Sequence, residues 1–159
     1  MTLSRQREAQ VKKVKTKRKQ QDAVRGGSSL GTFSRKVPAL ARAQRVTERA
    51  SHFGFDWPEP GPVWGKIEEE LGELKSAVAA GDEGRVKEEM GDLLFSLVNL
   101  SRFLELEAEE ALSQTIDRFL KRFSHIETKI RERGKTLAEA SLEEMDLLWE
   151  EAKRMAGKI

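Results

Sequence analysis

At 159 residues the chain is long enough for one domain with a real core, and its composition is polar, with 35% charged and 6% aromatic residues. The absence of cysteine excludes disulfides and thiolate metal sites, and two histidines make a zinc centre a poor expectation. The formal net charge of +2 hides an asymmetry: residues 1–25 carry nine Lys/Arg against two Asp/Glu, the remainder twenty against twenty-five.

No run of about 18 apolar residues exists, so no membrane span is expected. No apolar signal core follows the basic start, and a cytoplasmic location is the expectation. Residues 1–37 hold almost no large apolar side chains and end in a Gly/Ser-rich piece, GGSSLG. Such a segment buries too little surface to offset ordering entropy, so a largely disordered basic tail is expected there. A tail of this kind serves solubility or contacts nucleic acid. The absence of aromatics among its lysines weakens single-strand binding.

From residue 38 the apolar residues fall into helical periods, and no strand pattern occurs. PALARAQRVTERASHFGF places Leu40, Ala43, Val46, Ala50 and Phe53 at three- and four-residue steps, with Pro38 in the first turn and Gly54 as a stop. DWPEPGP is expected to be a loop. VWGKIEEELGELKSAVAA puts Ile67, Leu71, Leu74 and Val78 on one face. After the break GDEG, RVKEEMGDLLFSLVNLSRFLE is apolar over most of its circumference and is expected to be buried nearly all round. The short break makes these two helices antiparallel neighbours. A third long helix, residues 107–133, carries the stripe Leu112, Ile116, Phe119, Phe123, Ile126 and Ile130, with Gly134 as its stop. Ser141 and Glu144 form a capping-box pattern before a last helix, SLEEMDLLWEEAKRM. The predicted fold is all-α, a bundle of about four to five helices without a β-sheet, with residues 38–155 as the domain and 156–159 as a short end.

Two stretches carry the chemistry. EEELGEL (68–74) and KEEMGDL (87–93) are near copies, each with paired glutamates, a glycine and a further carboxylate. At 100° per residue Glu89, Asp92, Ser96 and Asn99 share a narrow strip of an otherwise apolar helix. Lys66, Glu70 and Glu73 share a strip on the preceding helix, with Glu69 at its edge. In an antiparallel hairpin Glu70 and Glu73 meet Glu89 and Asp92. Four carboxylates in one cleft need protons or cations to compensate them, and an all-oxygen set favours Mg²⁺ or Mn²⁺. Gly72 and Gly91 each cost about 1 kcal/mol against alanine inside a helix and are expected where backbones or ligands come close. The plainer alternative is a solvated acidic face.

On the third helix Arg118, Arg122, His125, Lys129 and Arg133 lie on one strip. The guanidinium fork of Arg118 and Arg122 suits phosphates, whereas Lys129 and Arg133 are explained as partners for acidic neighbours. His125 reads as a boundary residue. Trp149, one turn from Lys153, offers a flat face to a base or belongs partly to the core. Carboxylates for divalent cations, arginines for phosphates and a tryptophan suggest a metal-dependent nucleotide site. The P-loop pattern is absent.

Lys66-x-x-Glu69-Glu70-x-x-Glu73 followed by Glu89-x-x-Asp92 resembles the MazG family of nucleoside triphosphate pyrophosphohydrolases, all-α enzymes related to all-α dUTPases and phosphoribosyl-ATP pyrophosphohydrolase. The likeness covers roughly residues 38–155, closest to the C-terminal catalytic half of two-domain members. It implies metal ligation by Glu70, Glu73, Glu89 and Asp92 and nucleotide contacts from Lys66, Glu69, Arg118, Arg122, Trp149 and Lys153. It also implies a Mg²⁺-dependent cleavage between the α and β phosphates of a nucleoside triphosphate, with Glu69 or Glu70 acting on the attacking water. A homodimer or tetramer is implied as well. Specialised dUTP or phosphoribosyl-ATP activity, or a non-catalytic helical binding module, are the alternatives.

Overall fold

The computed structural model describes residues 28–156. The basic stretch 1–25 therefore lies outside the described residues. Among those described, five α-helices and one 3₁₀ turn occur and no strand. The chain divides into two compact units between Leu104 and Glu105.

In the first unit, α1 spans Ala39–His52, α2 Gly61–Ala80 and α3 Glu83–Phe103. Residues 28–38 lead in through turns, and Arg49 Nη1 donates to the Leu30 carbonyl at 2.8 Å. Gly54 (φ +85°) follows the end of α1 in the left-handed region, where a residue without Cβ is unstrained. The helix of DWPEPGP begins earlier than expected. Pro62 falls inside the first turn of α2, where a missing N–H breaks no hydrogen bond.

Two residues, Gly81 and Asp82, link α2 to α3, and the helices pack on each other as a hairpin. Asp82 Oδ1 accepts the Arg85 backbone N–H at 3.0 Å and caps α3. α1 packs on α3 as well. The covered faces differ from the apolar stripes read in sequence. On α1 the buried residues are Gln44 and Thr47. On α2 they are Val63, Glu70, Leu74 and Ala77, while Leu71 and Val78 are exposed.

α3 is not buried all round. Met90, Leu94, Phe95 and Leu97 are exposed, as is Leu104 at its C-cap, and the polar strip Glu89, Ser96 and Asn99 is buried instead, together with Val98 and Leu100. The physical reason is that periodicity reports which residues are apolar, not which neighbour covers them. Gly72 and Gly91 also depart from expectation: a methyl group built on either meets nothing within 4 Å. Close helix approach within the described chain does not explain them.

Loop 53–60 is clasped to α3. Arg102 donates through Nη1 to Asp56 Oδ2 at 2.9 Å and through Nη2 to Oδ1. Asn99 Oδ1 accepts from Arg102 Nε at 3.1 Å and Nη2 at 2.9 Å.

In the second unit, α4 spans Ala108–Glu132 and α5 Leu142–Ala156, joined through the 3₁₀ turn Leu137–Glu139. Their core is Ile126, Ile130 and Leu148, with Phe123, Leu137, Ala140, Met145 and Trp149 packed around it. Only the C-terminal half of the predicted α4 stripe is covered. Leu112, Ile116 and Phe119 are exposed. Gly134 (φ +72°) follows the end of α4. The capping box forms at Thr136 and Glu139 rather than at Ser141 and Glu144. Ser141 Oγ does accept the Glu144 N–H at 3.2 Å, but the Glu144 carboxylate turns away to Arg133 and Lys135.

Candidate active site

The first unit holds a cluster of carboxylates between α2 and α3. One oxygen each from Glu70, Glu73 and Glu89 lies within 4.8 Å of the others. Glu70 and Glu73 stand one turn apart on α2, and the hairpin brings Glu89 of α3 opposite them. Glu70 and Glu89 are 4% and 6% exposed, and Glu73 is open to solvent. Asp92 is also exposed and does not join this group at that distance.

Two cations flank the carboxylates. Lys66 Nζ lies 2.7 Å from Glu70 Oε1 and 2.9 Å from Glu69 Oε1. These pairings, Glu70 first, hold the Lys66 ammonium well above its ordinary proton affinity. On the other side Arg85 Nη2 lies 3.0 Å from Glu89 Oε1. Arg85 was not singled out from the sequence. The signal that finds it is its i, i+4 spacing to Glu89.

The negative charge is not fully balanced. The Glu73 carboxyl is pushed above its ordinary proton affinity, chiefly by the charge of Glu89 and then by a hydrogen bond between the two carboxyl groups. Like charges this close disfavour the ionised form of Glu73, so positive charge is favoured at the cluster. Oxygen-only donors of this kind suit a hard divalent cation better than zinc or copper. The residues therefore fit the cation that their pattern implies.

The second unit holds the remaining sequence-predicted residues. Arg118 is exposed, and its Nη2 donates to Thr115 Oγ1 at 2.7 Å. Arg122 is partly buried, with its guanidinium carbon 5.4 Å from the ring centre of Trp149. Trp149 also meets Phe119, with centroids 5.1 Å apart at 55°. The indole is thus half-buried and belongs to the edge of the core, with a cation on it. Lys153 is exposed and pairs with Glu150 at 2.8 Å. His125 Nε2 is 3.2 Å from Glu151 Oε1, but too poorly aligned for a hydrogen bond.

Comparison with known proteins bears on this arrangement. Residues 64–130, which contain all the clustered carboxylates, match the MazG nucleotide pyrophosphohydrolase domain. The chain is 46% identical over 134 residues to the nucleoside triphosphate pyrophosphohydrolase/pyrophosphatase MazG of Thermotoga maritima, covering 84% of this chain and 51% of that protein. It is 38% identical over 148 residues to the nucleoside triphosphate pyrophosphohydrolase of Escherichia coli K12, covering 92% of this chain and 56% of that protein. The chain thus spans about half the length of these relatives. With its carboxylate hairpin inside the matched segment, the chain carries a region, residues 64–130, similar to the MazG nucleotide pyrophosphohydrolase domain.

Proposed function

We propose that this chain hydrolyses nucleoside triphosphates between the α and β phosphates, releasing a nucleoside monophosphate and pyrophosphate, in a Mg²⁺-dependent reaction. The observation that carries this reading is the meeting of Glu70, Glu73 and Glu89 across one hairpin inside the MazG segment. The names of the relatives give the reaction class.

Glu70, Glu73 and Glu89 would hold the cation, with Asp92, one turn after Glu89, as a further ligand. Mg²⁺ bound there supplies charge compensation for phosphate oxygens and acidifies a water. Glu70 is buried in the trio, which leaves exposed Glu69, held by Lys66, to orient the attacking water and take its proton. Lys66 offsets charge on the phosphates as they pass through the transition state. Arg118 and Arg122 are the phosphate-binding groups of the second unit, with Trp149 and Lys153 as its nucleotide contacts. Since Arg122 lies over Trp149, a base that stacks there shares the indole with a cation.

The reading includes a homodimer or a tetramer in the cytoplasm. Met90, Leu94, Leu97 and Leu104 recur along one side of α3, and Trp64, Leu71 and Val78 along α2, all exposed. So much aligned apolar surface is what a partner helix covers. No helix among the described residues is long and apolar enough to cross a membrane.

The test is pyrophosphate release from a panel of ribo- and deoxyribonucleoside triphosphates, with Mg²⁺ and with EDTA. Mg²⁺-dependent release with monophosphate as co-product is the expected result. Release from no member of the panel would overturn the reading.

A further inference from the structure

We propose that Arg85 is a resident counter-ion that competes with the divalent cation for Glu89 and so sets how much free cation the site requires. The proposal rests on the cation-binding reading of the Glu70, Glu73 and Glu89 cluster.

Glu89 is an almost buried carboxylate, and one of its oxygens is already taken by the Arg85 guanidinium at 3.0 Å. The same carboxylate faces Glu73 across the hairpin. A cation entering the cluster therefore meets a carboxylate whose charge Arg85 already offsets. The charges point the same way. The Arg85 guanidinium adds a positive charge directly on the Glu89 carboxylate, so it repels a dication that enters the cluster and weakens the pull of Glu89 on it.

Arg85 is built to withdraw. Its backbone N–H is fixed by the Asp82 cap, so the residue stays in the first turn of α3. Its side chain, by contrast, is 52% exposed, so it can swing into water without giving up a packed position. Lys66 on the opposite flank differs, because it bridges two carboxylates of its own helix at once.

The test uses the whole chain and manganese ion alone, with no nucleotide. Free Mn²⁺ is followed by electron paramagnetic resonance during titration of the wild type, Arg85→Gln, Arg85→Lys and Glu89→Gln. Repulsion between a unit charge and a dication at this range, screened by solvent and salt, corresponds to about a threefold to tenfold change in affinity. Arg85→Gln is expected to lower the dissociation constant by that factor, and added KCl to shrink the difference. Arg85→Lys, which keeps the charge, is expected to stay within about twofold of the wild type. Glu89→Gln is expected to lose the site. Circular dichroism on each variant shows that the helices are intact.

Equal affinities for the wild type and Arg85→Gln, with binding lost in Glu89→Gln, would overturn the competition and leave the cation site standing. Arg85→Lys behaving like Arg85→Gln would overturn it as well, since charge would not be the cause. Binding unaffected by Glu89→Gln, or absent from the wild type, would remove the cation reading itself.

Discussion

Glu73 and Glu89 face each other across the α2–α3 hairpin, with one carboxylate oxygen of each within 4.8 Å of the other, and the charge of Glu89 raises the proton affinity of the Glu73 carboxyl. This contact between like groups is a local conflict inside an otherwise ordinary helical pair. Natural sequences keep such conflicts at sites with a ligand to resolve them.

Replacing one partner removes the conflict and the site together. In EDTA, Glu73→Gln is expected to be at least as thermally stable as the wild type above neutral pH, because the raised proton affinity means that ionising Glu73 disfavours the fold. The stabilisation that Mg²⁺ gives the wild type is expected to vanish in the variant. Thermal melts with EDTA and with Mg²⁺ check both statements. A full Mg²⁺ response in the variant would take Glu73 out of the site.

Glu70 and Asp92 separate stability from chemistry in another way. Glu70→Gln and Asp92→Asn are expected to reduce pyrophosphate release by about a hundredfold or more, the scale on which losing one charge-stabilising group acts. Helix content should stay near that of the wild type. Asp92 is the sharper case, since it stands exposed and outside the trio. Unchanged turnover in Asp92→Asn would confine the site to the three glutamates.

Much of this arrangement was legible in the sequence. The pairing of Glu70 and Glu73 with Glu89 follows from two helical periods joined by a break too short for anything but an antiparallel return. The helix ends at Gly54 and Gly134 were legible for a similar reason, since each is fixed by one residue's backbone freedom. What was not legible depends on contacts between distant residues. Nothing near Asp56 announces that its partner is Arg102, 46 positions on. Leu71, Val78 and Leu97 read as core because they are apolar, yet each is exposed. Gln44 and Thr47 lie outside the apolar stripe of their helix, and they are buried. Periodicity finds a helix face; only the fold decides what lies against it.

The Asp56–Arg102 clasp fixes the loop that carries Phe55 and Trp57. Both partners are largely shielded from solvent, so each loses charge-assisted hydrogen bonds if the other is removed. Asp56→Ala is expected to lower stability by about 1–3 kcal/mol. Arg102→Met, which also spares the burial of an unpaired guanidinium, should not add its full effect to Asp56→Ala in the double variant. Additive losses in urea melts would mean that the two side chains do not act as a pair.

Gly72 and Gly91 occupy helix interiors with open space around the missing Cβ. On that geometry Gly72→Ala and Gly91→Ala are each expected to stabilise the fold by about 0.5–1 kcal/mol. Melts in Mg²⁺-free buffer, read beside sedimentation velocity, check this. A loss of stability together with a smaller particle would show that a second copy packs against these positions.

Acid should strip stability from the second unit through Glu144. Its carboxylate accepts from Lys135 at 2.9 Å and from Arg133, and these partners hold its proton affinity below the ordinary value of 4.5. A group depressed in the folded state stabilises fully above its unfolded value, and that contribution is lost as the pH falls through the folded one. Glu139 acts in the same direction, because the Thr136 N–H and hydroxyl favour its ionised form. The melting temperature of the wild type is therefore expected to fall as the pH drops below about 4.5. Glu144→Gln should start lower near neutral pH and fall less steeply, so that the two curves converge in acid. Parallel curves would mean that Glu144 gains nothing from Arg133 and Lys135 in solution, and that the cap at Thr136 carries the acid sensitivity of this unit.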